Sequence, residues 1–180
     1  MEGDKLGRFE NIIVITDANI LIDYVKADKE LLNLLCSLFK SVKVPFDILN
    51  EVNELTLMQA QEFNIDVYYP EPETYYEASN ELKRISFQDL VCFIDARKYG
   101  WAVITNDKSL KEYCNQKGIE TFWGLQVMMF MVEEHLLTKR AALKTARRIV
   151  KNNPRIHEDI LLDFEEKVMG FDEQHEDEIR

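Results

Sequence analysis

With 180 residues and 46% apolar side chains, the chain suits one domain plus an appendage and can bury a real core. A formal net charge of −11 and a sequence pI near 4.8 exclude a protein that holds nucleic acid by bulk electrostatics. Three widely spaced cysteines (Cys36, Cys92, Cys114) exclude a disulfide framework or a zinc pattern and favour a reducing cytoplasm.

The opening MEGDKLGRFE has neither a basic nor an apolar leader region, and no apolar run approaches the roughly 18 residues of a membrane span. A cytoplasmic protein is expected. Residues 11–17, NIIVITD, read as a buried β-branched strand; Asp17 ends it and can cap the helix ANILIDYVK. KELLNLLCSLFK follows as a helix with Leu31, Leu32, Leu34, Leu35, Leu38 and Phe39 on its apolar side. VKVP is a short strand, FDILNEVNEL a helix carrying Glu51 in its first turns, and IDVYY a strand ended by Pro70. A helix of mixed polarity is expected over 73–84.

SFQD then opens the helix DLVCFIDARKYG, which Gly100 closes. Strand AVIT, helix KSLKEYCNQKG and strand IETFW complete the alternation. Such alternation predicts βαβ units: an α/β three-layer sandwich with a mainly parallel central sheet flanked by helices. Beyond Gly124 the chain reads as a C-terminal helical extension, giving domains 1–123 and 124–180. GLQVMMFMVEEHLL is apolar nearly all round and is expected to be buried or to lie against a partner subunit. Residues 139–155 hold seven Lys or Arg and no acid, with Arg140, Lys144, Arg147, Arg148 and Lys151 at helical spacing. Asn152-Asn153-Pro154 breaks that helix. A last amphipathic helix gathers Ile156, Ile160, Leu161, Phe164 and Val168, and the tail DEQHEDEIR reads as acidic and disordered.

Asp17 and Asp107 each follow a strand, while Glu51 and Asp89 stand at helix starts. Taken singly, each has an ordinary use as a cap or a solvated residue. Taken together, they gather where open α/β sheets bind ligands, outside the carboxyl ends of the strands. Carboxylates about 5 Å apart repel by roughly 3 kcal/mol per pair at an effective dielectric of about 20. A hard divalent cation removes that cost, because oxygen ligands suit Mg²⁺ or Mn²⁺. Asp95 lies about 240° round the helix from Asp89, so it is expected to be structural or to support the site from behind. Asp23 is expected to be solvated. His135, His157 and His175 lie in the tail, none at ligand spacing, and no phosphate loop, nucleophile elbow or HExxH motif occurs.

Four stretches, VITDANILID, VPFDILNEV, DLVCFIDARKYGW and AVITNDK, together resemble the PIN-domain ribonucleases over about residues 12–123. The resemblance implies that Asp17, Glu51, Asp89 and Asp107 correspond to that family's metal-binding acids, with Asn19 and Thr105 at its supporting polar positions. It implies Mg²⁺- or Mn²⁺-assisted hydrolysis of RNA phosphodiesters, with the toxin role of a toxin–antitoxin pair as one biological setting. It further implies a homo-oligomer, a dimer first of all. The basic stripe at 139–155 is the candidate grip on RNA, with Lys108 and Lys111 near the pocket mouth; its other uses are docking an acidic partner such as an antitoxin protein, or plain solvation. The competing functions are a catalytically inactive PIN-fold interaction module and a receiver-like phosphoacceptor domain. A haloacid-type phosphatase would need Asp where Asn19 stands.

Overall fold

Five short apolar runs pair side by side as parallel strands in the computed structural model, which describes residues 7–81 and 85–171. They are β1 (Ile13–Thr16), β2 (Ser41–Pro45), β3 (Asp66–Tyr68), β4 (Ala102–Ile104) and β5 (Thr121–Phe122), in the order β3-β2-β1-β4-β5. β1 is central: Val14 faces Val42 on one side and Ala102 on the other. A strand covered on both faces must be apolar throughout. Val14, Ile15 and Thr16 are all fully buried. The sheet, flanked by ten described helices, is the α/β sandwich the alternation predicts.

The helices are α1 (Ala18–Ala27), α2 (Glu30–Leu38), α3 (Phe46–Leu49), α4 (Leu57–Glu62), α5 (Pro72–Asn80), α6 (Phe87–Tyr99), α7 (Lys108–Gln116), α8 (Gly124–Glu133), α9 (Lys139–Asn152) and α10 (Glu158–Met169). α1, α2, α8, α9 and α10 pack against one another, and α5, α6 and α7 form the other layer. Among the described residues, no helix is long and apolar enough to cross a membrane. The expected helix over 73–84 is seen as α5 to Asn80; residues 82–84, the acidic tail 172–180 and His175 lie outside the described residues.

Local chemistry sets several boundaries. Asp17 caps α1 by accepting from the Ile20 amide, and Ser86 caps α6 by accepting from the Asp89 amide. Gly100 closes α6 at φ 69°, a left-handed conformation that suits glycine. The helix expected over FDILNEVNEL stops at Leu49. Beyond it the chain advances by three-residue turns, with Glu51, Val52 and Leu55 donating to Ile48, Leu49 and Val52. This tighter path brings both Val52 and Leu55 into the core. α4 then starts from a reciprocal Thr56–Gln59 capping box, a T-x-x-Q signal present in the sequence but not used there.

The C-terminal helices continue the core of the sheet. Val127, Met128 and Met131 of α8 are fully buried, and Phe130 stacks on Phe9 with ring centroids 4.4 Å apart. Most of the apolar stretch of α8 is thus buried inside this chain, while Met129 is half-buried and lines a surface cleft. Ile156, Phe164 and Val168 are buried as expected, but Ile160 is 45% exposed. It lines a surface cleft, because α10 turns its Phe164–Val168 side, not its Ile160 side, toward α8 and α9.

Asp95 is the buried acid of α6, and it accepts from the Tyr68 hydroxyl at 2.6 Å and the Thr74 hydroxyl at 2.7 Å. It ties β3 and α5 to α6 and does not line the acidic cleft described below. Asp95→Ala leaves two hydroxyls unpartnered, at about 1–3 kcal/mol for each buried group. Urea unfolding is therefore expected to show a loss of roughly 3 kcal/mol. An unchanged midpoint would remove this assignment.

A candidate metal centre at the carboxyl edge of the sheet

Strand order explains where the acids meet. The chain steps from β1 outward to β2 and β3 on one side, then returns across β1 to build β4 and β5 on the other. The crevice at such a reversal opens at the carboxyl ends of the two strands flanking it, here β1 and β4. Asp17 follows β1 directly, and Asp107 follows β4 after Thr105 and Asn106. Asp89, in the first turn of α6, reaches the same crevice from the opposite helical layer, and Glu51 enters from the turns after α3.

All four line one cleft of about 460 Å³, together with Asn19, Ser86, Ser109 and Arg155. Asp17 is buried, Asp89 and Asp107 are half-buried, and Glu51 is exposed. The Asp17 carboxylate is fixed at both oxygens: one accepts from the Ile20 amide at 3.0 Å and the other from the Thr105 hydroxyl. Thr105 also accepts from the Asp107 amide at 2.9 Å, so one hydroxyl sets the spacing of two acids. The Asp107 side chain caps α7 through the Leu110 amide, and Asp89 accepts from the Ser86 hydroxyl at 2.7 Å.

The electrostatics show that these groups sense one another. Burial pushes the Asp17 carboxyl up from 3.8 to about 7, and Asp89 and Asp107 push in the same direction against the Thr105 and Ile20 donors. Asp89 is raised by burial and by Asp107, while Ser86 and Arg155 pull it back. Glu51 is raised by burial, then by Asp89 and Asp47. Three carboxyls raised together in one pocket, those of Asp17, Glu51 and Asp89, are what a bound cation would relieve.

The donor set fits a hard one: carboxylate and hydroxyl oxygens line the cleft, with no histidine and no thiol among the described lining residues. Cys92 lies buried nearby against the Thr16 carbonyl, and burial holds its thiol well above the usual range, so it stays protonated. Among the described residues, no three acidic, histidine or cysteine side chains stand close enough to enclose an ion without help. The cleft and that spacing point different ways. Mg²⁺ keeps several of its waters and needs only one or two direct carboxylates, so a wider ring of acids meets its demands. The shared cleft and mutual repulsion therefore weigh more here than the lack of a compact cluster.

Several side chains behave differently from expectation. Asp23 is not solvated. Only 8% exposed, it accepts from Asn106 at 2.9 Å and from Asn153, linking α1, the β4–α7 turn and the α9–α10 turn. The basic stripe points elsewhere than the cleft. Arg140, Lys144, Arg147, Arg148 and Lys151 are exposed on α9, where Arg147 pairs with Glu165 and Arg148 donates to the Ala27 carbonyl. Ala27 ends α1 about 15 Å along the helix from Asp17 at 1.5 Å per residue, so the stripe lies toward the opposite end. Lys108 and Lys111 line a neighbouring cleft, not the acidic one.

Arg155 was counted in the basic segment 139–155 but not singled out, and nothing in the sequence placed it beside the acids. The turn after Asn153 brings it to the acidic cleft, where it is the one cationic side chain among the described lining residues. Its backbone amide donates to the Asn153 side chain at 3.0 Å, which couples its placement to Asp23. The sequence signal was the Asn-Asn-Pro break itself, but a break does not say which way the chain turns.

No protein-family model matches this chain, and no curated protein matches it. The functional reading rests on the residues of the cleft.

Proposed function

We propose that this chain is a divalent-metal-dependent endoribonuclease of the PIN type, with its centre at Asp17, Glu51, Asp89 and Asp107. The observation that carries the reading is the convergence of those four acids, from four separate segments, on one cleft at the sheet reversal. The four sequence stretches that resemble PIN-domain ribonucleases supply these same residues.

Asp17, Asp89 and Asp107 would hold Mg²⁺ or Mn²⁺. Bound there, such an ion neutralises the carboxylates, polarises a phosphoryl oxygen and lowers the pKa of a coordinated water. The chain supplies the rest. Thr105 and the Ile20 amide hold Asp17 to one orientation, so its lone pairs are aimed before substrate arrives. Glu51, the most exposed of the set, is suited to orient an attacking water. Arg155 is placed to meet a phosphate that enters among the acids. None of the described histidines lines the cleft, so carboxylates would also carry the proton transfers.

One observation favours the inactive interaction module: the lack of a compact ligand group among the described residues. The receiver reading fits less well, since receiver-type sheets run 2-1-3-4-5 and this one runs 3-2-1-4-5. A toxin setting and a dimer stay as proposals, and α8 offers them little, since Val127, Met128 and Met131 are fully buried in its own core.

The deciding experiment pairs binding with cleavage. Mn²⁺ at a hundredfold excess over Kd is expected to stabilise the protein by about 2.7 kcal/mol, read as a rise in Tm. A labelled single-stranded RNA is expected to be cut in Mn²⁺, with the rate falling at least about a hundredfold in Asp107→Ala, as for loss of a preorganised electrostatic group. No Mn²⁺ shift and no cutting would hand the chain to the inactive module.

A further inference from the structure

A second and larger cleft, about 1030 Å³, adjoins the acidic one, and much of its wall is built from residues beyond the region of PIN resemblance. α7 gives it Lys108 and Lys111, the β5–α8 junction gives Trp123, and the α9–α10 turn gives Arg155 and His157. The two clefts share a border. Arg155 lines both, and in the consecutive run Asn106-Asp107-Lys108 the outer two residues face the large cleft while Asp107 faces the acids.

Its chemistry is that of a surface for unpaired nucleotides. Trp123 is 37% exposed, and the Lys111 ammonium sits 4.6 Å from its ring centroid. Lys111 is anchored in turn to the Thr121 carbonyl at 3.1 Å, so the ring is braced by a side chain tied to β5. Met129 and the exposed Ile160 add apolar area, and Lys108 stands at the rim. Two acids, Asp159 and Asp163, also line the cleft, and Asp163 pairs with Lys167. Bulk positive charge is therefore not what this surface offers. It offers an aromatic platform, a few placed cations and apolar area, the combination that takes single strands by stacking.

We propose, resting on the nuclease reading above, that this cleft receives an unpaired RNA strand continuing out of the acidic centre. One base stacks on Trp123, and Arg155 contacts the phosphate that crosses the border between the clefts. The Asp23–Asn153 link is then a positioning device, since it fixes the turn that carries Arg155. Such an arrangement explains how a chain of net charge −11 can hold RNA. The strand is gripped by stacking and by one arginine set among acids, and the exposed stripe of α9 is not needed.

The test measures binding apart from cutting. Fluorescence anisotropy of a labelled single-stranded oligoribonucleotide of about twelve nucleotides, within the span of known single-strand sites, is recorded on full-length Asp107→Asn protein. That background keeps the cap of α7 and leaves the strand whole. Trp123→Ala and Arg155→Gln are each expected to weaken binding roughly tenfold, the scale of one lost stacked base or placed contact. Trp123→Phe is expected to keep most of the affinity, which separates stacking from a folding defect. The pair Arg140→Gln and Lys144→Gln is expected to change it less than twofold, within the small effects of exposed charges. The proposal is overturned if the background protein binds no RNA, or if Trp123→Ala and Arg155→Gln bind as it does. Equal affinity for duplex RNA would also overturn it, as would displacement of the RNA by an acidic peptide, which would assign the cleft to a protein partner. Cleavage by the parent in Mn²⁺ is scored separately. Binding that depends on Trp123 without any cutting would sink the nuclease reading and leave the groove standing.

Discussion

Asp17→Asn is expected to melt higher than the parent protein in EDTA at pH 8, and to lose both its response to Mn²⁺ and its cleavage of RNA. The sign follows from the carboxyl group's ordinary value of 3.8 and its value of about 7 in the folded chain. Below about pH 4 the group is protonated in both states and has no effect on stability. Between about pH 4 and pH 7 the folded protein keeps the proton and the unfolded chain releases it, so stability falls as pH rises. Above pH 7 the whole penalty is present. At 1.36 kcal/mol per unit, it amounts to roughly 4 kcal/mol for this group alone.

Asparagine removes the charge and keeps the geometry. Its carbonyl can still accept from the Ile20 amide, and Asn caps helices about as well as Asp. Its amide can donate to Thr105, whose hydroxyl must then turn, at the cost of some of the gain. A net rise of about 2 kcal/mol, or roughly 4–8 °C in Tm at this chain length, is expected. In the parent, Mn²⁺ should stabilise more strongly at pH 8 than at pH 6, because below about pH 7 protons compete for Asp17. Melting curves at both pH values, with EDTA and with Mn²⁺, check all three statements. A variant that melts lower in EDTA and still responds to Mn²⁺ would contradict the assignment of Asp17.

A chain ending at Trp123 is expected not to fold, although the stretches that resemble a compact nuclease domain end there. α8 delivers Val127, Met128 and Met131 to the core at no measurable exposure, and α9 and α10 add Ala142, Ala146, Ile149, Phe164 and Val168. Burying one Val, Leu, Ile, Phe or Met side chain contributes about 1.5–3 kcal/mol. Six such side chains supply on the order of 10 kcal/mol, which matches the whole net stability of a typical domain. The loss reaches polar contacts too: the Tyr24 hydroxyl donates to the Gly124 carbonyl at 2.8 Å, and Asn106 accepts from the Gly124 amide at 3.0 Å. Near-ultraviolet circular dichroism of the shortened chain should show no fixed aromatic environment. The milder Met131→Ala, in the full chain, should cost about 2–5 kcal/mol in urea unfolding. Cooperative melting of the shortened chain would show that the extension is a separate unit after all.

The sheet and most of its helices were legible because each signal is local, whereas α4 was missed although its Thr56–Gln59 cap is equally local. A β-branched run closed by Asp17, the Ser86 cap and Gly100 after α6 act through neighbours a few residues away. The bend after Leu49 was not legible, since burying Val52 and Leu55 outweighed the helical pattern of FDILNEVNEL. Asp23 looked like a solvated helix residue for the same reason: its partners, Asn106 and Asn153, lie 83 and 130 residues away.

From the sequence alone came the acids, the attachment of Asp17, Asp89 and Asp107 to strand ends and a helix start, and an alternation that admits few topologies, because strands and caps are set by nearest neighbours; Glu51 instead sits in the turns after α3. Only the tertiary structure decided that β1 and β4 lie side by side, so that Asp17 and Asp107 share a wall. It also turned the α9 stripe away from that wall and brought Arg155 and Trp123 to its border. Those placements depend on which buried faces find each other across the whole chain, and no window of neighbouring residues contains that information.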